Sequence, residues 1–379
     1  MGFLFIAVIY ILLNAYLALR LGLALSFVFS QRFRRRVKWI AYGIVTILSL
    51  VMMLGLITKI SIFSVISAVW MGIFVNLLLV ILLFDLVRLI LKCFFKNEHI
   101  RKIGSVVYRV GILILPLLFS LYGFINAATV TVTTYDLTVD KPLQPLKIVM
   151  ISDLHLGAVG AESNLDDWVE AINQEEPDVV LIAGDLIDSD FDKIKDPLSA
   201  EKLLASIKAR YGVYACLGNH DSGETYGKML AFFERAEITV LRDSYQVIDD
   251  RFVLIGRYDI SPIGSTYLDG KRQDTKAFLD SLHVYDLPTF VMDHNPKDVM
   301  AYDSRVDLVL SGHTHKGQVF PGNLVTDLLY PVDYGLHQQN EDSPYVVVSS
   351  GIFGWGMPMK TSGHSEIVVI NIESSLTEQ

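Results

Sequence analysis

The chain has 379 residues, of which 52% are hydrophobic and 19% are charged, and its formal net charge at pH 7 is −9. The charge is unevenly distributed, because residues 1–125 contain 13 Lys or Arg and 2 Asp or Glu, whereas residues 126–379 contain 19 and 39. This composition excludes a chain that is soluble over its whole length. The acidic second part lacks the basic residues that a general nucleic-acid-binding surface requires.

Four long apolar segments predict membrane-spanning helices in the first part of the chain. They lie at 3–24, 39–58, 62–91 and 105–126, each near or above the ~20 residues that a bilayer requires. No Lys or Arg precedes Arg20, and no small-residue cleavage site follows the first segment, so it does not resemble a secretory signal peptide. We therefore expect a transmembrane region at 1–126 and a separate domain at 127–379.

Basic residues are concentrated in two of the three connections between these segments. The connections at 32–38 and 92–102 are basic, whereas the one around Lys59 is nearly neutral. The positive-inside rule places the two basic connections in the cytoplasm, and the lipid bilayer then separates them from everything after the fourth segment. We interpret the cluster at 32–38 as a topology determinant, with recognition of lipid head groups as the alternative.

Two opposite charges lie near the end of the third segment. Asp85 and Arg88 are three residues apart, so they can pair on one face of a helix. A charge inside a membrane-spanning segment indicates function by default. Arg88 is close enough to the interface to extend towards it, and we therefore prefer a structural pair.

The second part of the chain predicts an α/β domain. Short apolar, β-favouring runs occur at 147–152, 179–183, 213–217, 252–256, 289–292, 308–311, 345–349 and 367–371. Helical patterns lie at 164–174, 198–210 and 226–236, and a polar connecting segment at 131–146. Several of the strands are unbroken apolar runs, as expected for strands buried on both faces. Strands that alternate with helices indicate the α/β class.

Five short polar motifs follow one another in this domain, and four of them come directly after predicted strands. They are Asp153-Leu154-His155, Gly184-Asp185, Gly218-Asn219-His220-Asp221, Asp293-His294 and Gly312-His313-Thr314-His315. In α/β sheets ligands bind at the carboxyl ends of the strands, so we expect the motifs to form one site.

The residue types in the motifs are those of a two-metal hydrolytic site. Carboxylate and imidazole together suit divalent Mn, Fe or Zn. Asp-x-His and His-x-His each place two side chains on the same side of an extended backbone. A carboxylate can bridge two cations ~3.5–4 Å apart, and such a pair binds a phosphoryl group and lowers the pKa of a bound water, so that hydroxide is available as a nucleophile near neutral pH.

The segment from about 145 to 372 resembles the calcineurin-like metallophosphoesterases. It is most similar to their bacterial membrane-anchored branch, which includes relatives acting on the pyrophosphate bond of UDP-diacylglucosamine. The five motifs carry the resemblance, together with Ser349-Ser350-Gly351 and Trp355-Gly356. The resemblance implies two packed β-sheets flanked by helices.

The same resemblance implies seven ligands for two divalent metal ions. They are Asp153, His155 and His315 for one ion, Asn219, His294 and His313 for the other, and Asp185 as the bridge between them. His220 would not bind metal but would protonate the leaving oxygen or stabilise the charge that develops there. Asp221 would orient the imidazole of His220.

Three residues near the motifs have two interpretations each. The family branch commonly has Gly-Gly-Gln after His-x-His, and this chain has Lys316-Gly317-Gln318. Lys316 would either bind a substrate phosphate or project into solvent. Phe353 and Trp355 would either line a substrate groove or seal a loop against the sheet.

These features predict a membrane-anchored, extracytoplasmic phosphoesterase that depends on two divalent metal ions. Its substrate would be a lipid-linked phosphate or pyrophosphate, or a soluble nucleotide or phosphodiester. A metal-binding receptor or interaction module without catalysis is the alternative, and the complete ligand set with His220 argues against it.

Overall fold

The computed structural model of the protein describes residues 2–57, 61–94, 98–263, 269–282 and 286–376. Contacts within the chain divide it into two compact units, Met1–Ile125 and Asn126–Gln379. We describe each unit separately.

The first unit consists of apolar helices. They are α1 (Gly2–Val28), α2 (Arg34–Ile57), α3 (Ser61–Phe94) and α4 (Glu98–Ala128). All four are long and apolar enough to cross a membrane, as predicted. The observed helices extend beyond the predicted apolar segments into charged turns such as the start of α2, because Arg and Lys have good helix propensity.

The second unit contains two six-stranded sheets. In spatial order, the first sheet consists of β1 (Val130–Val139), β12 (Ser365–Ser374), β2 (Leu146–Ile151), β3 (Val179–Ala183), β4 (Val213–Cys216) and β5 (Ile238–Val240). The second consists of β10 (Gly335–His337), β11 (Tyr345–Val348), β9 (Leu308–Ser311), β8 (Thr289–Met292), β7 (Phe252–Gly256) and β6 (Ser244–Ile248). Strands β2, β3 and β4 are parallel, as are β7, β8 and β9.

The two sheets pack face to face, and helices cover their outer faces. Ile148 and Leu181 of the first sheet share one buried cluster with Phe290 and Leu308 of the second. Among the described residues, the helices packed against the sheets are α5 (Leu165–Gln174), α6 (Pro197–Ala205), α7 (Tyr226–Arg235) and α8 (Thr275–Asp280). A further helix, α9 (Gly322–Leu329), has no buried residue. The predicted fold, two packed β-sheets flanked by helices after an apolar helical region, is therefore confirmed.

The sequence did not predict four of the strands, and all four lie at the edges of the sheets. Instead of a polar connecting segment at 131–146, the chain forms β1, which pairs in parallel with β12 over ten residues. Its residues alternate between exposed and more buried positions, so the run is less apolar than a central strand. The other edges, β5, β6 and β10, are only three to five residues long.

Candidate metal centre

The five motifs meet at the carboxyl ends of five parallel strands from both sheets. The exits of β2, β3 and β4 carry the first three motifs, and the exits of β8 and β9 carry the last two. Because β3 lies beside β2 and β4, and β8 beside β9, each sheet brings its own motifs together. The packing of the two sheets then joins the two sets in one site.

One buried group combines Asp153, His155 and His315. One ligand atom from each lies within 4.8 Å of the others. The Nε2 atoms of His155 and His315 are 3.3 Å apart, and His315 Nε2 is 3.4 Å from Asp153 Oδ1. Two imidazole nitrogens and a carboxylate oxygen therefore face one point, as ligands of a single cation do.

Asp185 lies between this group and His294. Its Oδ2 atom is 3.2 Å from His294 Nε2 and 3.7 Å from His155 Nε2. Its Oδ1 atom accepts a hydrogen bond of 2.8 Å from the backbone amide of His220, which fixes the carboxylate plane. This carboxylate thus stands where a bridging ligand is required.

Asn219 and His313 complete the set beside His294. His313 Nδ1 lies 2.7 Å from Asn219 Oδ1, and the rings of His313 and His294 are 5.1 Å apart, edge to face. His313 Nε2 lies 3.0 Å from the hydroxyl of Tyr330, a residue that the motifs did not single out. All seven residues predicted as metal ligands are therefore brought to one site.

The backbone at five of these residues lies in the left-handed region. The φ angles are 56° at Asp153, 48° at His155, 54° at Asp185, 71° at His313 and 49° at His315. Asp-x-His and His-x-His therefore do not project from an extended backbone, and this prediction was wrong. The chain turns sharply at each ligand instead, and such strained backbone is concentrated at functional sites.

Glycine is required where two of these turns meet. Gly184 has φ 83°, and a Cβ atom there would lie 2.6 Å from His294 Nδ1 and 2.8 Å from the amide nitrogen of Gly218. No side chain fits in that space, so the close approach of β3, β4 and β8 depends on glycine.

The electrostatics of the site favour a cation between its carboxylates and imidazoles. Burial alone raises the pKa of Asp185, but the adjacent imidazoles, His294 first, hold that pKa below its ordinary value. Burial lowers the pKa of His294, yet the carboxylate of Asp185 raises it well above its ordinary value. Burial dominates at two other histidines and lowers the pKa of His313 to about 4 and that of His315 to about 3.

His294 provides a direct test of whether a metal fits. Its Nδ1 atom lies 2.7 Å from the carbonyl oxygen of Ala183, which can only accept, so Nδ1 carries a hydrogen. Its Nε2 atom is buried without a hydrogen-bond partner among the described residues and points a lone pair towards the Asp185 carboxylate. A proton or a metal cation must lie between these two acceptors, and the surrounding donor set suits a divalent ion.

His220 lies at the open side of the site, and its neighbours correct one prediction. His220 Nδ1 is 2.6 Å from Ser189 Oγ and 3.3 Å from Asp188 Oδ1. Burial raises the pKa of Asp188, but hydrogen bonds with His155 and His220 lower it further than burial raises it. Asp188 and Ser189, rather than Asp221, are therefore placed to orient the imidazole.

Asp221 has a different task. Its buried carboxylate accepts hydrogen bonds from the backbone amides of Leu186 (3.2 Å), Ile187 (2.9 Å) and Gly218 (3.0 Å). The prediction that Asp221 orients His220 was wrong because both oxygens of the Asp221 carboxylate are engaged by backbone amides. Asp221 instead ties the loop after β3 to the loop after β4.

The residues with two interpretations take different positions. Lys316 Nζ lies 4.0 Å from the ring centroid of Tyr334, so an aromatic face holds the ammonium group. Phe353 is 2% exposed and packs on Trp168, which makes it a seal for its loop. Trp355 is 51% exposed, and its ring lies 6.1 Å from that of His220, so it borders the site.

Lys360 is a buried residue of the site that sequence reasoning missed. Its Nζ atom donates to the carbonyl oxygens of Ser350 (2.8 Å) and Gly351 (2.6 Å), and burial lowers its pKa to about 7. Gly351 packs directly against Asp153, with φ 80°. Lys360 therefore braces the loop behind the first metal-ligand group, and no sequence signal marks it.

Comparison with known proteins agrees with this geometry. A family model described as calcineurin-like phosphoesterase matches residues 146–317. A metallophosphoesterase of Campylobacter jejuni is 31% identical over 300 residues, which cover 77% of each chain. A metallophosphoesterase of Helicobacter pylori is 32% identical over 238 residues, covering 62% of this chain and 61% of that protein. A bovine transmembrane protein with metallophosphoesterase domain is 29% identical over 272 residues, covering 68% of this chain and 60% of that protein.

Proposed function

We propose that this chain, which belongs to the calcineurin-like metallophosphoesterase family and is a metal-dependent phosphohydrolase, cleaves a phosphate ester or pyrophosphate bond of a lipid-linked substrate outside the cytoplasm. The placement of the Asp185 carboxylate between His294 and His155 carries the catalytic part of this proposal. The chain spans about 61% of the length of the Helicobacter relative it matches, so the activity of the whole protein is part of the proposal.

Two divalent ions fit the donor atoms that the strands bring together. Asp153, His155 and His315 would hold one ion, and Asn219, His294 and His313 the other, with Asp185 shared between them. Bound there, the ions would offset the charge of a phosphoryl group and lower the pKa of a water molecule. Carboxylate, amide and imidazole donors suit Mn, Fe or Zn.

His220 would act as the general acid. Ser189 and Asp188 occupy its Nδ1 atom, which leaves Nε2 as the nitrogen that donates to a substrate. When water attacks phosphorus and the bond to the leaving oxygen breaks, a proton from Nε2 would neutralise the alkoxide or phosphate that departs. The exposed indole of Trp355 would pack against the leaving group beside this imidazole.

An apolar patch beside the metal centre supports a lipid-linked substrate. Its exposed side chains are Phe320, Leu324, Val325, Leu328 and Leu329, from α9 and the turn before it. The helix follows directly on the His-x-His turn, and the next residue, Tyr330, reaches His313. Exposed apolar patches of this kind mark membrane or ligand contacts, and a bilayer or an acyl chain would cover this one.

Apolar helices α1 to α4 and the transmembrane relative indicate membrane association. The basic connections after α1 and after α3 support a cytoplasmic position for those loops. The strands that follow α4 would then lie outside the cytoplasm.

The proposal is tested with the full-length chain in detergent, loaded with Mn²⁺. We expect hydrolysis of bis(p-nitrophenyl) phosphate that Asp185→Ala abolishes and Asp192→Ala, a matched change at an exposed carboxylate paired with Lys228, does not. Turnover by the metal-loaded protein that is no greater than that of Asp185→Ala would refute catalysis. Lipid preference is tested by presenting one pyrophosphate head group on dioleoylglycerol in micelles and without acyl chains, and equal kcat/KM for the two would refute a lipid-linked substrate.

A further inference from the structure

The helical unit contains a strongly basic cavity that the phosphohydrolase reaction does not use. The cavity has a volume of about 310 Å³ and is lined by five cationic side chains, Arg20, Arg34, Lys38, Arg88 and Arg109. They come from all four helices, at the end of the unit where α1 joins α2 and α3 joins α4. We propose that this cavity binds the phosphate group of an anionic phospholipid, independently of the proposed function.

The side chains around the cavity carry an excess of positive charge. Asp85 is the carboxylate that meets this cluster, and it is already engaged by Arg20 Nη2 at 2.7 Å and by the Tyr16 hydroxyl at 2.5 Å. Our expectation that Asp85 pairs with Arg88 was therefore wrong, because α1 supplies a closer cation. Five cations against one carboxylate leave a net positive charge at this end of the helical unit, and like charges that are partly shielded from solvent repel more strongly than in water.

Aromatic rings hold the guanidinium groups of Arg88 and Arg109. Arg88 lies over the ring of Tyr108 at 4.9 Å from the centroid, and Arg109 lies over the ring of Phe27 at 4.4 Å. In the part of the chain that the structure describes, neither has a carboxylate partner. An aromatic face orients a guanidinium group but neither neutralises its charge nor uses its N–H donors. Arg88 and Arg109 are thus held in place while their N–H groups remain available to a ligand.

Hydrogen bonding at the cavity is incomplete. The Nε atom of Arg20, a residue that lines the cavity, is buried without a hydrogen-bond partner among the residues described. A buried donor without an acceptor is unfavourable. A phosphate group offers several charged acceptor oxygens, and its bonds to arginine are the strong, charge-assisted kind.

A neighbouring cavity identifies the source of the phosphate. This second cavity, of about 520 Å³, shares Arg88 and Tyr108 with the basic one. Apolar side chains of α3 and α4, including Leu91, Ile103 and Val107, line it together with the charged side chains of Lys92, Glu98, Arg101 and Lys102. A phosphate beside Arg88 would therefore have an apolar path for an acyl chain immediately next to it. Free phosphate would leave that path empty, so we commit to a phospholipid. Basic pockets between membrane helices bind such head groups.

Binding is measured on the full-length chain in detergent by native mass spectrometry, with dioleoyl phosphatidic acid, dioleoyl phosphatidylcholine and inorganic phosphate as probes. We expect phosphatidic acid to bind at least about tenfold more tightly than either other probe. Arg88→Gln combined with Arg109→Gln should weaken that binding about tenfold or more, since two charge-assisted contacts are lost. The control, Arg35→Gln with Arg36→Gln, removes the same charge from residues that do not line the cavity.

Three results would overturn the inference. They are equal binding of phosphatidylcholine, binding of inorganic phosphate as tight as that of the lipid, and equal losses in the test and control variants. Because Arg88 and Arg109 also pack on aromatic rings, the pair Arg34→Gln and Lys38→Gln is measured as well. These two residues lie on the first turns of α2, and the same selective loss of phosphatidic acid is expected there.

Discussion

Asp221 ties together the two loops that present Asp185 and Asn219, so its removal should loosen the site without touching a metal ligand. The carboxylate is fully buried and accepts from the backbone amides of Leu186, Ile187 and Gly218. In Asp221→Ala all three amides lose their acceptor at once. We expect local destabilisation of these loops and a fall in kcat.

The magnitude follows from two opposing effects. A buried amide left without an acceptor costs ~1–3 kcal/mol, which for three amides sums to several kcal/mol. Burial and the charge of Asp185 raise the pKa of Asp221 to about 6, so its ionised form is itself destabilised in the folded protein. Removing that charge offsets part of the destabilisation. We therefore expect Asp221→Ala to destabilise the two loops by about 3 kcal/mol, a large share of the free energy of unfolding of a typical domain.

Hydrogen–deuterium exchange resolved to single amides measures this cost directly. About 3 kcal/mol corresponds to an increase of roughly a hundredfold in exchange at Leu186, Ile187 and Gly218, if the amides exchange through local opening. Asp188→Asn is the matched control, because its carboxylate faces His155 and His220 and none of these amides. Unchanged protection in Asp221→Ala, or equal loss of protection in Asp188→Asn, would refute this division of roles.

Three further predictions concern catalysis, stability and the lipid contact. His220→Asn should lower kcat about 10²–10⁴-fold with metal content unchanged by elemental analysis, and the defect should shrink for a nitrophenolate leaving group, which needs no proton. Burial raises the pKa of Glu366, but His364 and the Ser350 amide lower it to about 2. The ionised carboxylate therefore stabilises the folded protein fully above pH 4.5, and this contribution is lost as pH falls towards 2. Glu366→Gln should therefore lower the free energy of unfolding by about 3 kcal/mol at pH 7 and by half of that or less at pH 3 in urea titrations. Leu328→Asp with Leu329→Asp should raise KM for a micellar lipid substrate at least about tenfold and leave bis(p-nitrophenyl) phosphate hydrolysis unchanged; equal effects on both substrates would count against the lipid contact.

The sequence predicted the central strands and missed the edges for one physical reason. Strands such as β3 and β8 are buried on both faces, so all or nearly all of their residues are apolar and the run is conspicuous. A strand at a sheet edge is half exposed, so β1 reads Val-Thr-Val-Thr-Thr and resembles a polar connection. What places β1 in the sheet is its pairing with β12, more than two hundred residues away in the chain.

The residues of the candidate site likewise include some that the sequence predicts and some that it does not. Metal-ligand residues could be found because polar side chains at the ends of apolar strands are conspicuous and the family pattern supplied their grouping. Asp188 and Lys360 could not, since their roles depend on distances to His220 and Gly351 that no local pattern encodes. The same limit produced the wrong role for Asp221, where adjacency in sequence to His220 was mistaken for contact.

The left-handed backbone at the metal ligands explains why these residue types recur at these positions. Non-glycine residues with positive φ are uncommon, and Asp, Asn and His are the types most often found there. Asp153, His155 and His315 therefore satisfy two requirements at once, since each offers a donor atom and tolerates a turn that brings that donor to its neighbours. A cation bound between Asp185 and His294 would offset the backbone strain and would satisfy the two buried acceptors that face each other. Backbone geometry and metal binding thus both select the residue types of the motifs, which is why the motifs identify the fold and the metal centre together. The substrate is determined by the surfaces around the centre instead.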